Sequence, residues 1–113
     1  MAKTDFVQYV VEDLMAEVKG VSARAMFGGH GIYRERTIFG IIVDDVLYFK
    51  VDDTNRKEYE AAQSRPFTYR AKGNKKVSMS YWEVPAAILD DRDALAKWAL
   101  KSWRINIKKG KAN

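Results

Sequence analysis

The chain holds one histidine and no cysteine. That inventory removes a disulfide framework, thiolate zinc sites and a cysteine nucleophile. His30 is the one side chain that titrates near neutrality unaided, and it stands in Phe27-Gly28-Gly29-His30-Gly31 with no carboxylate near it in sequence. An acid–base centre needs such a partner, so a hydrogen-bonded structural histidine is the simpler reading. Four aspartates form two pairs, Asp44-Asp45 and Asp52-Asp53. The strand between them separates the pairs by about 20 Å, too far to share a metal ion, whereas a tight turn and a helix start account for each. The tyrosines and the other carboxylates show no spacing that suggests a dyad. The expectation is no enzyme, no metal, no cofactor and no small-molecule substrate.

Charge is the stronger signal. Residues 1–63 carry 11 acids and 8 bases, and residues 83–96 carry 4 acids and 1 base. Residues 64–82 carry 5 bases and residues 97–113 carry 6, neither with an acid, so −3 +5 −3 +6 gives the net +5. Two basic blocks on a mildly acidic body point to an anionic partner. In the first block, Arg70, Lys72, Lys75 and Lys76 gather around Gly73-Asn74, as in a basic hairpin tip that contacts nucleic acid. A solvated tip kept charged for solubility is the plainer alternative. In the second, Lys97, Lys101, Arg104 and Lys108 recur at helical spacing as a ridge, with Lys109 beside them. Basic residues also suit a helix C-terminus for purely structural reasons.

The elements that position these residues follow from periodicity. Phe6, Val7, Val10, Val11, Leu14, Met15 and Val18 make one apolar stripe, so residues 5–19 read as a helix capped by Thr4 or Asp5 and stopped by Gly20. Gly28-Gly29 reads as a two-residue hairpin turn, because glycine accepts φ > 0 at both central positions. That register pairs Phe27 with His30, Met26 with Gly31, Ala25 with Ile32, and Arg24 with Tyr33 within cation–π reach. A glycine loop that receives phosphate would need a helix after it, and a strand follows here.

Arg34-Glu35-Arg36-Thr37 turns the chain into Ile38–Val43, and Asp44-Asp45 turns it back through Val46–Val51. The pairs run from Val43–Val46 through Ile42–Leu47, Ile41–Tyr48 and Gly40–Phe49 to Phe39–Lys50 and Ile38–Val51. Ile38, Gly40, Ile42, Leu47, Phe49 and Val51 then face the core. Phe39, Ile41, Val43, Val46, Tyr48 and Lys50 form a second face, apolar enough to require a cover, either a helix or a second copy of the chain.

Asp52-Asp53-Thr54 opens a short helix over residues 56–63, which Ser64-Arg65-Pro66 ends. Strands 67–71 and 77–82 form a hairpin with a three- or five-residue loop, pairing Ala71–Val77, Tyr69–Met79 and Phe67–Tyr81. Pro85 suits a first helical turn. Asp90 reads as the N-cap of a last helix whose buried stripe is Leu95, Trp98, Ala99 and Ser102. Trp103 either packs on the covered sheet face or sits exposed. The whole is a single α+β domain, an antiparallel sheet built from β-hairpins with N-terminal, central and C-terminal helices packed on it. Its core spans about residues 5–105, and residues 108–113 form a frayed tail. With no signal peptide and no apolar run long enough to span a membrane, a cytoplasmic protein is expected.

Four segments carry a family resemblance: Arg24-Ala-Met-Phe-Gly-Gly-His-Gly-Ile-Tyr33, Asp45-Val-Leu-Tyr-Phe-Lys50, Pro66-Phe-Thr-Tyr69 and Met79-Ser-Tyr-Trp-Glu-Val-Pro85. Together, in order and over most of residues 5–103, they resemble the N-terminal domain of the TfoX/Sxy family of bacterial competence regulators. Arg24, Phe27, Gly28, Gly29, Gly31 and Tyr33 belong to the first segment as a structural motif, and His30 stands where many relatives are expected to have an aromatic such as Tyr. The resemblance implies regulation of DNA-uptake genes, in some members together with a cyclic-AMP-dependent activator, and it supplies no catalytic residue. Longer members carry a further C-terminal domain, so this chain resembles a stand-alone form. The expected function is a non-enzymatic regulatory domain that binds a transcription protein or DNA. The alternative is a self-associating interaction module, a homodimer without nucleic-acid contact.

Overall fold

In the computed structural model, residues 2–26 and 28–111 are described, apart from the side chains of residues 2–4, 70, 71, 74, 110 and 111. Phe27 of the motif and the Arg70 side chain therefore lie outside the described residues. The chain runs through α1 (Ala2–Tyr9), β1 (Val21–Met26), β2 (Gly29–Arg34), β3 (Thr37–Val43), β4 (Val46–Lys50), α2 (Arg56–Ala61), β5 (Pro66–Ala71), β6 (Lys75–Glu83), α3 (Ala86–Leu89) and α4 (Arg92–Lys111). The six strands form one antiparallel sheet in the order β1-β2-β3-β4-β6-β5. This is the α+β architecture expected from the pattern of elements.

The first helix differs from expectation at both ends. It begins at Ala2, so Asp5 lies within the first turn as an acid facing the helix dipole rather than at the cap. After Tyr9 it widens into a π-helical turn over Val10–Leu14, closed by the Met15 N–H donating to the Val10 carbonyl at 2.9 Å. Val10, Leu14, Met15 and Val18 all reach the interior. Helical structure thus stops before Gly20, whose φ of +81° instead redirects the chain into β1.

The β1–β2 hairpin does not turn at Gly28-Gly29, because Gly29 already belongs to β2. Met26 pairs with Gly29, Ala25 with His30, Arg24 with Gly31 and Ser22 with Tyr33. Gly29 is held in β2 by steric need: a Cβ there would fall 2.3 Å from the Ile42 carbonyl oxygen of β3. Each residue of β1 meets a partner two positions earlier in β2 than expected, and an even shift preserves the faces. The Arg24 guanidinium still sits over Tyr33, 5.4 Å from the ring centroid. The Met26 sulfur comes within 2.7 Å of where a Cβ on Gly31 would be, so Gly31 makes room for it.

The β3–β4 hairpin turns at Asp44-Asp45, whose φ values of 52° and 62° suit a two-residue turn. Val43–Val46, Ile42–Leu47, Ile41–Tyr48 and Gly40–Phe49 pair as read from the sequence. The expected Phe39–Lys50 and Ile38–Val51 pairs do not form. Ile32 pairs with Gly40 and Tyr33 with Ile38, leaving Phe39 as an extra residue in a β-bulge. A bulge inverts the alternation beyond it. Phe39 enters the core, its ring centroid 5.6 Å from that of Phe49, and Ile38 passes to the other face beside Gly31.

One face of the sheet, through Ile32, Ile42, Leu47 and Phe49, packs against Val10 and Leu14 of the first helical segment, Tyr59 of α2, and Leu95 and Ala99 of α4. The expected stripe of α4 is buried at Leu95, Ala99 and Ser102 and half-buried at Trp98. Its N-cap is Asp91, whose carboxylate accepts the Ala94 N–H at 3.1 Å, while Asp90 closes α3. Pro85 precedes α3 rather than entering it. Part of the second face is covered from within the sheet rather than by a helix. Phe67 of β5 and Met79 of β6 line one hollow with Met26, Ile41 and Val43, and Phe67 meets Tyr48 edge-on at 5.1 Å. The far hairpin of the same sheet covers that part of the face.

Candidate functional site

Two basic surfaces emerge, on unlike foundations. The first is the β5–β6 hairpin. Its loop has three residues, Lys72–Asn74, with Gly73 at φ +75°. Ala71 pairs with Lys75, Arg70 with Lys76, Tyr69 with Val77 and Thr68 with Ser78. The expected Ala71–Val77, Tyr69–Met79 and Phe67–Tyr81 pairs give way to this tighter register, because the short turn pulls Lys75 and Lys76 out of the loop and into β6. Tyr81 pairs with Lys50 of β4 instead. Lys72, Lys75 and Lys76 are exposed, and among the described residues no carboxylate pairs with them. The hairpin presents them as a basic wing.

The second surface is the C-terminal half of α4. Trp103 is half-buried rather than exposed: its Nε1–H donates to the Arg34 carbonyl at 3.1 Å, and the Arg34 guanidinium lies 4.3 Å from the Trp103 ring. Ser102 donates to the Lys50 carbonyl at 2.7 Å, and the Asn106 amide donates to the Ile38 carbonyl at 2.9 Å. These three bonds pin α4 across the ends of β2, β3 and β4. Helical structure continues through Lys111, so Lys108 and Lys109 stand on a helix. Lys97 and Arg104 are exposed, and Lys101 reaches Glu58 of α2 at 3.1 Å.

Between α4 and the turn before α2 lies a groove of about 420 Å³, lined by Asp52, Thr54, Lys101, Arg104, Ile105, Lys108 and Lys109. Asp52 is the acid within it. Partial burial works against its charged form, but donation from the Thr54 hydroxyl and N–H, helped by Lys109 and Lys50, outweighs that and holds its pKa below the usual carboxylate range. Lys50, at the edge of the sheet, is only 8% exposed. Its Nζ donates to Ser80 Oγ at 2.5 Å and lies 5.4 Å from the Tyr81 ring centroid. Burial, and then Lys109 beside it, pulls the Lys50 amine below the ordinary lysine range.

The sequence read Lys50 as one position on a covered strand face and missed its place beside α4. A lysine closing an apolar strand was the available signal. Asp52 and Thr54 were legible as a turn, not as a groove wall. His30 gains neighbours that the sequence did not show, since the tips of the first two hairpins lie side by side. With Val7, Asp44 and Asp45 it lines a cavity of about 50 Å³, room for little more than one water. Among the described residues, no group of three or more histidines, aspartates or glutamates is placed to hold a metal ion, and no helix is long and apolar enough to cross a membrane.

A family model described as the TfoX N-terminal domain matches residues 13–105. The matched span runs from the first helical segment to α4 and contains the whole sheet. No curated protein matches the chain.

Proposed function

The chain belongs to the TfoX N-terminal domain family, and on that premise we propose that it is a cytoplasmic, non-enzymatic regulatory domain of the competence type that acts by binding DNA or a transcription protein. The observation that carries the reading is the wing. Lys72, Lys75 and Lys76 project on a hairpin tip, exposed and without carboxylate partners among the described residues, so their full charge is available to an anionic surface. The exposed cations of α4, Lys97, Arg104, Lys108 and Lys109, add to the same field. Such contacts hold phosphates and position a protein without reading base sequence. The helix that carries these cations, α4, is pinned to the strand ends through Ser102, Trp103 and Asn106 and is not free to enter a major groove. Sequence choice would then come from a protein partner.

A self-associating module is the second reading. Tyr69 and Met79 are 46% and 36% exposed on the hairpin that covers the second sheet face, and a two-fold pairing through them would double the basic surface. A sedimentation coefficient that rises with protein concentration supports it, and a constant monomer value rules it out.

Fluorescence anisotropy of short DNA duplexes titrated with the protein tests the first reading. Binding at low salt that weakens when Lys72, Lys75 and Lys76 are changed to Ala supports it. Absence of binding at low salt removes direct DNA contact and leaves a transcription protein as the partner to seek.

A further inference from the structure

The groove beside α4 contains more positive charge than the fold uses. Lys101 is engaged by Glu58. Arg104, Lys108 and Lys109 are left with Asp52 as the acid in the groove. Like charges gathered along one groove destabilise one another unless an anion lies between them.

The shape of the groove narrows the chemistry. A lone ion needs far less room than about 420 Å³, which falls in the range of small-molecule sites. Ile105 and the aliphatic stems of Lys101, Arg104 and Lys108 supply an apolar wall, suited to the body of a ligand. The amines and the Arg104 guanidinium supply donors of the kind that hold a compact dianion. Asp52 opposes an anion, but Arg104, Lys108 and Lys109 outnumber it along the groove.

We propose that this groove binds a small phosphomonoester, its phosphate held by Arg104, Lys108 and Lys109 and its body lying along Ile105. The site goes beyond the DNA-binding reading and does not rest on it. The wing takes no part, and a protein that ignores duplex DNA passes or fails the following test independently.

The test is an amide chemical-shift titration of the ¹⁵N-labelled full chain at constant ionic strength. The probes are inorganic phosphate, adenosine 5′-monophosphate, adenosine and an unphosphorylated DNA duplex. The expected result is saturable shifts at Asp52, Thr54, Arg104, Lys108 and Lys109 with the monophosphate, weaker ones with inorganic phosphate and none with adenosine, while Lys72, Lys75 and Lys76 stay unmoved. Lys109→Ala weakens monophosphate binding about ten-fold, and Lys57→Ala, outside the groove, leaves it unchanged. Arg104→Ala gives a loss like that of Lys109→Ala. Shifts that do not saturate at tens of millimolar monophosphate overturn the proposal. So do equal shifts with adenosine, or Lys109→Ala binding as tightly as the parent.

Discussion

Lysines crowd both the wing and α4, yet the two regions rest on different foundations. On the wing, the side chains from Lys75 to Ser80 are exposed except for half-buried Val77, and the hairpin is joined to the body through three β4–β6 pairs at its base. On α4, Lys97, Lys101 and Arg104 are each one or two positions from a buried anchor, Leu95, Ala99, Ser102 or Ile105, and Lys108 and Lys109 follow Ile105 within about one turn. Ser80, which accepts from Lys50, lies five residues along β6 from Lys75, a span of roughly 17 Å at strand rise. Formal charge is therefore a poor guide to what a cation does. A solvated lysine acts at a distance through its field, whereas a crowded, partly buried one acts on what touches it.

The contrast is sharpest in stability. Phe49→Ala, under α4, is expected to cost about 3–5 kcal/mol, because the ring is fully buried against Phe39. Tyr69→Ala, on the wing, should cost under about 1 kcal/mol by comparison, since that ring is nearly half exposed. Urea denaturation of both variants checks the pair, and similar midpoints would remove the distinction.

Two glycines extend the comparison. At Gly29 an added Cβ meets the Ile42 carbonyl oxygen at 2.3 Å, and backbone cannot step aside as a side-chain tip can. Gly29→Ala should cost about 1–3 kcal/mol or more. At Gly73 nothing lies within 4 Å, but φ is +75°, so Gly73→Ala should cost about 1 kcal/mol from backbone strain alone. Thermal unfolding of the two variants should rank them in that order.

A smaller effect belongs to Tyr59 under α4. Its hydroxyl is buried without a hydrogen-bond partner, so Tyr59→Phe should stabilise the fold by about 1 kcal/mol. The same group gives alkaline sensitivity. Burial raises the Tyr59 pKa well above its ordinary 10.0, and Tyr81 is raised for the same first reason. Their contribution is present below the unfolded value and is lost as pH climbs past about 10, where the unfolded chain releases protons that the native state retains. Lys50 acts in the opposite sense: with its pKa lowered from 10.5, it favours folding progressively as pH rises toward that value. Denaturant midpoints measured across this range should fall less steeply for Tyr59→Phe than for the parent.

How far these regions were legible in the sequence follows the same division. The Asp44-Asp45 turn and the four pairs nearest it were readable to the residue, because turn chemistry and apolar alternation agreed there on one register. At Gly28-Gly29 two glycines offered two turns, and the choice was made by the approach of Ile42, which is 13 residues away in sequence. The bulge at Phe39 leaves no mark in composition, although both Ile38 and Phe39 suit a core. The π-helical turn likewise hides in a stripe that a regular helix would also satisfy. Of the site, the wing was visible as a run of bases around Gly73. The groove was not, because its walls are a helix cap and a helix ridge more than 40 residues apart that meet only once α4 is pinned across the strand ends.

Least costly to the fold is removal of the wing charge: Lys72, Lys75 and Lys76 changed together to Ala should leave stability within about 0.5 kcal/mol. That makes the triple variant the cleanest probe of the central claim, that the wing contacts an anionic partner. The direct measurement is the slope of log affinity for a short duplex against log salt, for the parent and for this variant. A slope shallower by about three in the variant is the predicted result, roughly one unit for each lysine that no longer meets a phosphate. Parallel slopes at equal affinity would contradict the account and leave the wing as a solvated tip.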